Sequence, residues 1–293
     1  QVLVASTGVI GAPFPIDTVE AAIPALVYGL AENGVADLAR AIMTTDTRPK
    51  MGVREGMVDN QSYRIMAVAK GAGMIRPDMA TMLCFISTDA NLSVGNLQAA
   101  LKRSVDGSFN RITIDGDTST NDTVILMANG ASGARIQTDT DKAAFQELLD
   151  DLCMDLARQM VKDGEGVTKT VELTVRGARS DNDARAIADT IAHSPLVKTA
   201  FFGEDANWGR IIGAAGRAGV FLDPDRLDLF FDRVQMVKNG MGCGAEAEEQ
   251  ATRVLKKPEF CVTLDLSLGA GKASMLTCDF SLEYVKINAD YRS

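Results

Sequence analysis

Histidine is almost missing from this 293-residue chain: the only one is His193. A Ser-His-Asp or Cys-His site would have to use that residue, and metal sites built from several histidines are excluded. The five cysteines are odd in number and scattered, at 84, 153, 243, 261 and 278, with no CxxC pair among them. That pattern argues against a zinc site or disulfide framework and for reduced thiols in a cytoplasmic protein. Blocks of lysine and arginine are lacking as well, and the formal net charge is -9. Phosphate contacts need clustered positive charge, so nucleic acid is not an expected partner. No apolar run approaches the ~20 residues of a membrane span, so a membrane partner is not expected either.

What is present is ordinary globular composition, 46% hydrophobic and 24% charged, with enough length for one large or two ordinary domains. Val2 to Ala5 reads as a short strand opening into a loop at Ser6-Thr7-Gly8. Apolar positions recur at helical spacing from Thr18 to Ile42, with a break at Asn33-Gly34. Ser62 to Val68 alternates like a strand and is followed by a glycine- and proline-containing turn, Gly71 to Pro77. The spacing predicts helices at Leu97 to Val105, Lys142 to Lys162 and Ala184 to Ala192. Strands are predicted from Thr81 and at Ile112 to Ile114, Val124 to Met127, Thr170 to Val175, Leu229 to Phe231, Phe260 to Leu266 and Ser281 to Ile287. The mixture is α/β or α+β. A boundary near Gly177–Asp181 divides the chain into 1–177, a catalytic core, and 178–293, a C-terminal α+β domain.

With so little histidine, a general base has to come from elsewhere. Thr81 follows a constrained turn and the small Ala80. A threonine that becomes the first residue of a new chain is activated by its own α-amine, whose unperturbed pKa is ~7.7–8.0. Its hydroxyl can itself attack the preceding carbonyl, with Ala80 leaving room. Taken alone, Thr81 reads first as a β-branched residue opening a strand and only second as a nucleophile.

Other signals are individually weak. Thr7-Gly8 offers a hydroxyl and an approachable backbone N–H, the parts of an oxyanion hole, but is also a common turn. Lys70, just before the glycine turn, is a cation suited to a substrate carboxylate or simply a solvated loop lysine. Glu165, between Gly164 and Gly166, reads as an exposed carboxylate that could meet an ammonium or merely end a helix. The loop DGDTSTND, Asp115 to Asp122, is rich in oxygen ligands but lacks EF-hand spacing, so no metal is expected. NGMGCG, Asn239 to Gly244, has no phosphate-loop lysine and reads as a flexible loop, and Trp208 as a packing anchor.

Several segments change this balance when taken together: ASTGVIG (Ala5–Gly11), AIMTTDT (Ala41–Thr47), KGAGMIRPDMATML (Lys70–Leu83), DGDTSTND, DGEGVTK (Asp163–Lys169), SPLVKTAFFGEDANWGR (Ser194–Arg210) and NADYRS (Asn288–Ser293). In this order they resemble the ornithine acetyltransferase family, the arginine-biosynthesis glutamate N-acetyltransferases, over essentially the whole chain. The resemblance implies a layered α/β/β/α fold and self-cleavage at Ala80–Thr81 into α and β chains that assemble as a heterotetramer. It implies Thr81 as nucleophile, Thr7 and Gly8 as the oxyanion pair, and Thr44, Lys70, Thr81, Glu165, Asn288 and Ser293 as substrate contacts. The implied reaction moves acetyl from N-acetylornithine to glutamate, without a cofactor and with acetyl-CoA as a candidate second acetyl donor. Family members carry a sizeable segment before the strand at Val2, so the chain is expected to lack its beginning. Arg76 and Asp78 stand where the family more often has small or amide-bearing residues, and Ser293 stands where threonine is commoner. Two other readings compete: a self-processing aminopeptidase-type hydrolase, in which water deacylates the threonine, and a non-catalytic binding protein.

Overall fold

A computed structural model of the chain describes residues 3–76 and 82–290. In chain order its elements are α1 (Ile16–Tyr28), α2 (Val35–Ala41), β1 (Lys50–Val58), β2 (Gln61–Lys70), β3 (Leu83–Thr88), α3 (Val94–Gly107), β4 (Thr123–Ala128) and α4 (Asp139–Lys162). There follow β5 (Thr170–Ala178), α5 (Asp181–Ala192), α6 (Pro195–Phe202), α7 (Trp208–Gly216), β6 (Asp228–Phe231), β7 (Val234–Lys238), β8 (Met241–Gly242), α8 (Ala245–Leu255), β9 (Glu259–Asp265), β10 (Gly271–Cys278) and α9 (Leu282–Asp290). The class is the expected mixed α/β, organised as two sheets.

The first sheet runs β1-β2-β3-β4. β1, β2 and β3 are antiparallel neighbours, whereas β3 and β4 are parallel, with α3 as the crossover that a parallel pair requires. α4 lies along one face. Thr138 starts that helix with a reciprocal cap: its hydroxyl accepts from the Asp141 N–H at 3.1 Å, and the Asp141 carboxylate accepts from the Thr138 N–H at 2.9 Å. Leu149, Leu152, Leu156 and Met160 then face inward onto Tyr63, Ile65 and Ala67 of β2. The packing is close enough that a Cβ at Gly52 would sit 2.7 Å from Leu152 Cδ1.

The second sheet runs β10-β5-β9-β6-β7-β8, with β5 and β9 parallel at its centre. Leu173, Val175, Val262 and Leu264 of those strands are buried against Ile187 and Ile191 of α5, Ile211 of α7 and Leu255 of α8. The two sheets are spliced by residues 112–114. The Thr113 N–H donates to Leu276 O of β10 at 2.9 Å, while the Thr113 hydroxyl and the Ile114 N–H both donate to Ile75 O at 3.0 Å.

Several sequence expectations change here. Ile112–Ile114 forms an isolated bridge to Leu276, because its hydrogen bonds go to two different partners and not to one ladder. Ser281–Ile287 is helix, not strand: the Ser281 hydroxyl accepts from the N–H groups of Glu283 and Tyr284 at 3.1 and 3.2 Å and starts α9. Of the strand expected at Val2–Ala5, residues 3–5 are irregular and Val2 lies outside the described residues. NGMGCG is a tight hairpin: Asn239 and Gly240 both take positive φ (47° and 75°) between β7 and β8. The break at Asn33-Gly34 does separate α1 from α2.

The face of the first sheet opposite α4 carries Met51 and Val53 of β1, Met66 and Val68 of β2, Phe85 of β3 and Met127 of β4, with α2 reaching only one corner. Val53 and Met127 are 46% and 45% exposed, and α1 has no buried residue. Apolar surface of this extent drives association. The 293-residue chain is expected to bind a hydrophobic dye and to elute at increasing apparent mass with concentration. Val53→Lys with Met127→Lys should weaken both effects in size-exclusion chromatography; unchanged profiles would show that this face is not responsible.

Candidate active site

A buried ion cluster organises the region. Lys50, at the start of β1 and 1% exposed, places Nζ 2.5 Å from Asp46 Oδ1 and 2.5 Å from Asp163 Oδ2. Each carboxylate also accepts backbone donors. Asp46 takes the Gly71 N–H at 2.8 Å and the Thr44 N–H at 3.1 Å. Asp163, just past α4, takes the Thr47 N–H at 3.1 Å and the Thr47 hydroxyl. Burial pushes the Asp46 carboxyl upward, but the Gly71 N–H, the Lys50 ammonium and the Thr44 N–H outweigh it and hold it below the usual range. One ammonium thus joins the Thr44 loop, the Gly71 turn and the end of α4.

Two residues beyond Asp163, Glu165 is 8% exposed, not exposed as its glycine neighbours suggest. The chain turns inward because the Glu165 N–H donates to Ala72 O at 2.8 Å and Gly166 adopts φ 67°. A Cβ at Gly73 would come within 2.6 Å of the Glu165 carboxyl, so that glycine makes room for the carboxylate. The Ser281 hydroxyl donates to Gly166 O at 2.6 Å and so docks the start of α9 on this turn. One consequence is that Asn288 Nδ2 donates to Glu165 Oε2 at 2.8 Å.

Lys70 ends β2 and is 1% exposed. Its ammonium donates to the Thr7 hydroxyl at 3.1 Å. Burial draws the Lys70 ammonium below its ordinary value, with Asp46 and Asp122 pulling the other way. The acidic loop 115–122 acts by holding backbone. Asp115 accepts the N–H groups of Met74 and Ile75 at 2.6 and 2.9 Å, and Asp122 Oδ1 accepts the Met82 N–H at 2.6 Å. The carboxamide of Asn121 donates to Ser6 O, next to Thr7-Gly8, and itself accepts from the Ser119 hydroxyl at 2.8 Å. Among the described residues, no group of three or more His, Cys, Asp and Glu side chains is placed to hold a metal.

These contacts enclose a cavity of about 210 Å³ lined by Thr7, Gly8, Thr44, Lys70, Glu165 and Asn288, residues drawn from the two ends and the middle of the chain. Ser119, Thr120 and Asn121 line it too, a role that the sequence pattern of their loop did not disclose. The cavity has a cation on one wall and a carboxylate on another, with a hydroxyl and a glycine between them. Ala80, Thr81 and Ser293 lie outside the described residues, as does Asp78. Arg76 is exposed, with its guanidinium 4.0 Å from Asp189 of α5.

Comparison with known proteins gives consistent results. The sequence model of the ArgJ family matches residues 1–293. The chain is 53% identical to the arginine biosynthesis bifunctional protein ArgJ of Geobacter sulfurreducens, covering all of this chain and 75% of that protein. It is 52% identical to the protein of the same name from Syntrophotalea carbinolica and 47% identical to that of Thermotoga neapolitana, with the same coverage in each case. A crystal structure of arginine biosynthesis bifunctional protein argJ from Bacillus halodurans superposes with a TM-score of 0.67 at 42% identity, over 71% of this chain and 98% of that one.

Breaking the ion cluster should affect both stability and site. Lys50→Met leaves the buried Asp46 without its cation and Asp163 with only the exposed Arg48, 3.5 Å away, which is expected to cost about 3–5 kcal/mol of unfolding free energy in denaturant titration. Because the Asp46 carboxyl is depressed in the folded state, its contribution is present above its unfolded value and is lost as pH falls through the folded one. The wild type should therefore lose stability on the acid side more steeply than Lys50→Met. A loss below about 1 kcal/mol, the range of surface pairs, would show that the cluster is not a major support.

Proposed function

As the chain belongs to the ArgJ family, acyltransferases of arginine biosynthesis, we propose that it transfers acetyl from N-acetylornithine to glutamate through an acetyl ester on Thr81. The observation that carries this reading is the meeting, in one small cavity, of Lys70 and Glu165 with the Thr7-Gly8 pair. N-acetylornithine, whose α-nitrogen is an amide, presents an α-carboxylate and a side-chain ammonium, and glutamate enters with an ammonium that must lose a proton before its nitrogen attacks. The cation on one wall and the carboxylate on the other complement these charges.

In this mechanism the Thr81 hydroxyl attacks the acetyl carbonyl while the α-amine created by cleavage of the Ala80–Thr81 bond takes its proton. The Thr7 hydroxyl and Gly8 N–H stabilise the oxyanion, and the Lys70 ammonium polarises the Thr7 hydroxyl, whose oxygen it already binds. Ornithine leaves with the proton, glutamate enters, and the steps reverse. Glu165, oriented by Asn288, holds the substrate ammonium; Thr44 and Ser293 complete the contacts. The word "bifunctional" in the relatives' names supports a second acetyl donor, which we assign to acetyl-CoA. The two pieces are proposed to assemble as a heterotetramer.

Mass spectrometry tests the reading directly. The protein should appear as two pieces, the second beginning Thr-Met-Leu-Cys-Phe, and incubation with N-acetylornithine alone should add one acetyl group to Thr81. Thr81→Ala should stay uncut and inactive; cleavage of that variant at the same bond would point to an outside protease. Acetyl found only on lysine or cysteine would remove Thr81 as nucleophile.

The roles of the pocket residues separate kinetically. Thr7→Val should lower the transfer rate by about 10²–10³ through lost oxyanion stabilisation. Glu165→Gln should raise KM for both amino acids and leave chain cleavage intact. Loss of cleavage with unchanged KM would overturn the role given to Glu165.

A further inference from the structure

The turn that carries Thr7 and Gly8 has little support from the fold. Residues 3–8 belong to no helix or strand, and both Thr7 and Gly8 are exposed. Among the described residues, no backbone–backbone hydrogen bond joins this segment to the rest of the chain. Two side chains hold it there instead. The Lys70 ammonium donates to the Thr7 hydroxyl at 3.1 Å, and the Asn121 carboxamide donates to Ser6 O. Donors that meet a developing charge work only if they are fixed before the charge arrives. These two tethers therefore do for the turn what a strand or helix does elsewhere.

Asn121 is itself aimed. The Ser119 hydroxyl donates to Asn121 Oδ1 at 2.8 Å, which leaves the amide nitrogen, the donor end, for Ser6 O. The Thr123 hydroxyl donates to Asn121 O at 3.1 Å, and the two ends of the loop are fastened by Asp115 to Met74 and Ile75 and by Asp122 to Met82. Ser119 and Asn121 are half-buried and line the same cavity as Thr7 and Gly8.

Peptide geometry carries this hold to the pair. The Ser6–Thr7 peptide is planar, so holding Ser6 O sets the plane in which the Thr7 nitrogen lies. Threonine is stiff about χ1, so its hydroxyl moves with that plane, and the Gly8 N–H lies only two soft dihedrals further on. A Cβ at Gly8 would meet nothing within 4 Å, so packing around Gly8 does not place it. Lys70 fixes a single atom of the turn, Thr7 Oγ, about which the turn can still pivot. Asn121 adds the second fixed point.

We propose that Asn121 is a positioning residue for the oxyanion pair: its carboxamide, aimed by Ser119, holds Ser6 O and thereby places the Thr7 hydroxyl and the Gly8 N–H in the cavity. The proposal rests on the oxyanion role given to Thr7 and Gly8 above and adds the group that keeps them in register. Asn121 takes no part in making or breaking bonds; it acts through residues 6–8. A displaced pair loses affinity for the transition state and not for the substrate, so the effect belongs in kcat.

The test is a double-mutant cycle on acetyl transfer from N-acetylornithine to glutamate, with rates taken per cut molecule as counted by mass spectrometry. Asn121→Ala should lower kcat by about 10–10²-fold, the order of loss expected when a catalytic group is misplaced by about 1 Å, with KM for either substrate within about twofold of wild type. Combined with Thr7→Val, its further effect should be clearly smaller than its effect alone, because both changes damage the same pair. Losses that multiply in full would overturn the proposal, as would a raised KM at unchanged kcat, which would make Asn121 a substrate contact. Ser119→Ala keeps the tether but frees its orientation; it should show the same pattern at smaller size and decides the matter if Asn121→Ala does not fold or is not cut. The tether is also read without chemistry, by ¹⁵N relaxation of the Gly8 amide, assigned through its loss in Gly8→Ala. Its order parameter should lie near ~0.85 in the wild type and below ~0.6 in Asn121→Ala, and equal values refute the tether whatever the rates. A wild-type kcat in Thr7→Val is a different result: it removes the oxyanion reading and this proposal with it, whereas a failed tether leaves that reading standing.

Discussion

The site depends on a single buried ammonium. Lys50 stands between Asp46 and Asp163, and the backbone donors gathered by those carboxylates belong to Thr44, Thr47 and Gly71. Without the cation, two carboxylates would face each other in the interior, and each would sooner draw in water than hold a loop. With it, the end of α4 is fixed against the end of β2. The 163–166 turn and the glycine turn after Lys70 thereby become walls of one cavity. A net hydrophobic gain is not the purpose of such a cluster, because apolar packing of the same volume is often at least as stable. What the charges add is direction: each carboxylate oxygen has an assigned donor, and the loops have one arrangement that satisfies them all.

The same division of labour recurs in the acidic loop 115–122. Asp115 grips Met74 and Ile75, upstream of residues 77–81, and Asp122 grips Met82 downstream. Asn121 reaches from the same loop to Ser6 and steadies the Thr7-Gly8 turn. Oxygen-rich composition here is devoted to backbone N–H groups, which explains why it has the density of a cation site without the spacing of one. Burial also leaves the Asp115 carboxyl above its ordinary value in spite of the backbone donors it accepts.

Much of this was legible in the residues. The helix at 139–162, the paired strands at 61–70 and 83–88, and the break at Asn33-Gly34 follow from periodicity and turn residues. Lys70, Glu165, Thr7 and Gly8 are candidates by residue type, Thr44 and Asn288 only through the family resemblance, and all six line the cavity. Their convergence was not visible in spacing, since it depends on contacts between residues more than a hundred positions apart, such as Asn288 with Glu165. Burial of Glu165 is hidden in the sequence because its flanking glycines look like an exposed turn. In fact Gly73, far away in sequence, supplies the space. The helix at 282–290 has the look of a strand in sequence, because its cap, Ser281, is marked only by contacts that the fold creates. Lys50 and Asp122 carry no local signal at all: a lysine opening a strand and an aspartate ending a polar loop are ordinary, and their importance arises from what surrounds them in space.

The pairing of β2 with β3 has a consequence for any break of the chain between them. Residues 65–70 are laddered to residues 83–88 across the site of the break, and β1 is attached to the sheet only through β2. A cut there does not yield two domains. It turns neighbouring strands of one sheet into a subunit interface already formed at the moment the bond is lost. The partners then meet at an effective concentration set by the fold and not by dilution, and neither piece can leave without exposing a strand edge. Separation of the products therefore amounts to unfolding, so the two chains would share a single melting transition and behave toward denaturant as the one molecule from which they came.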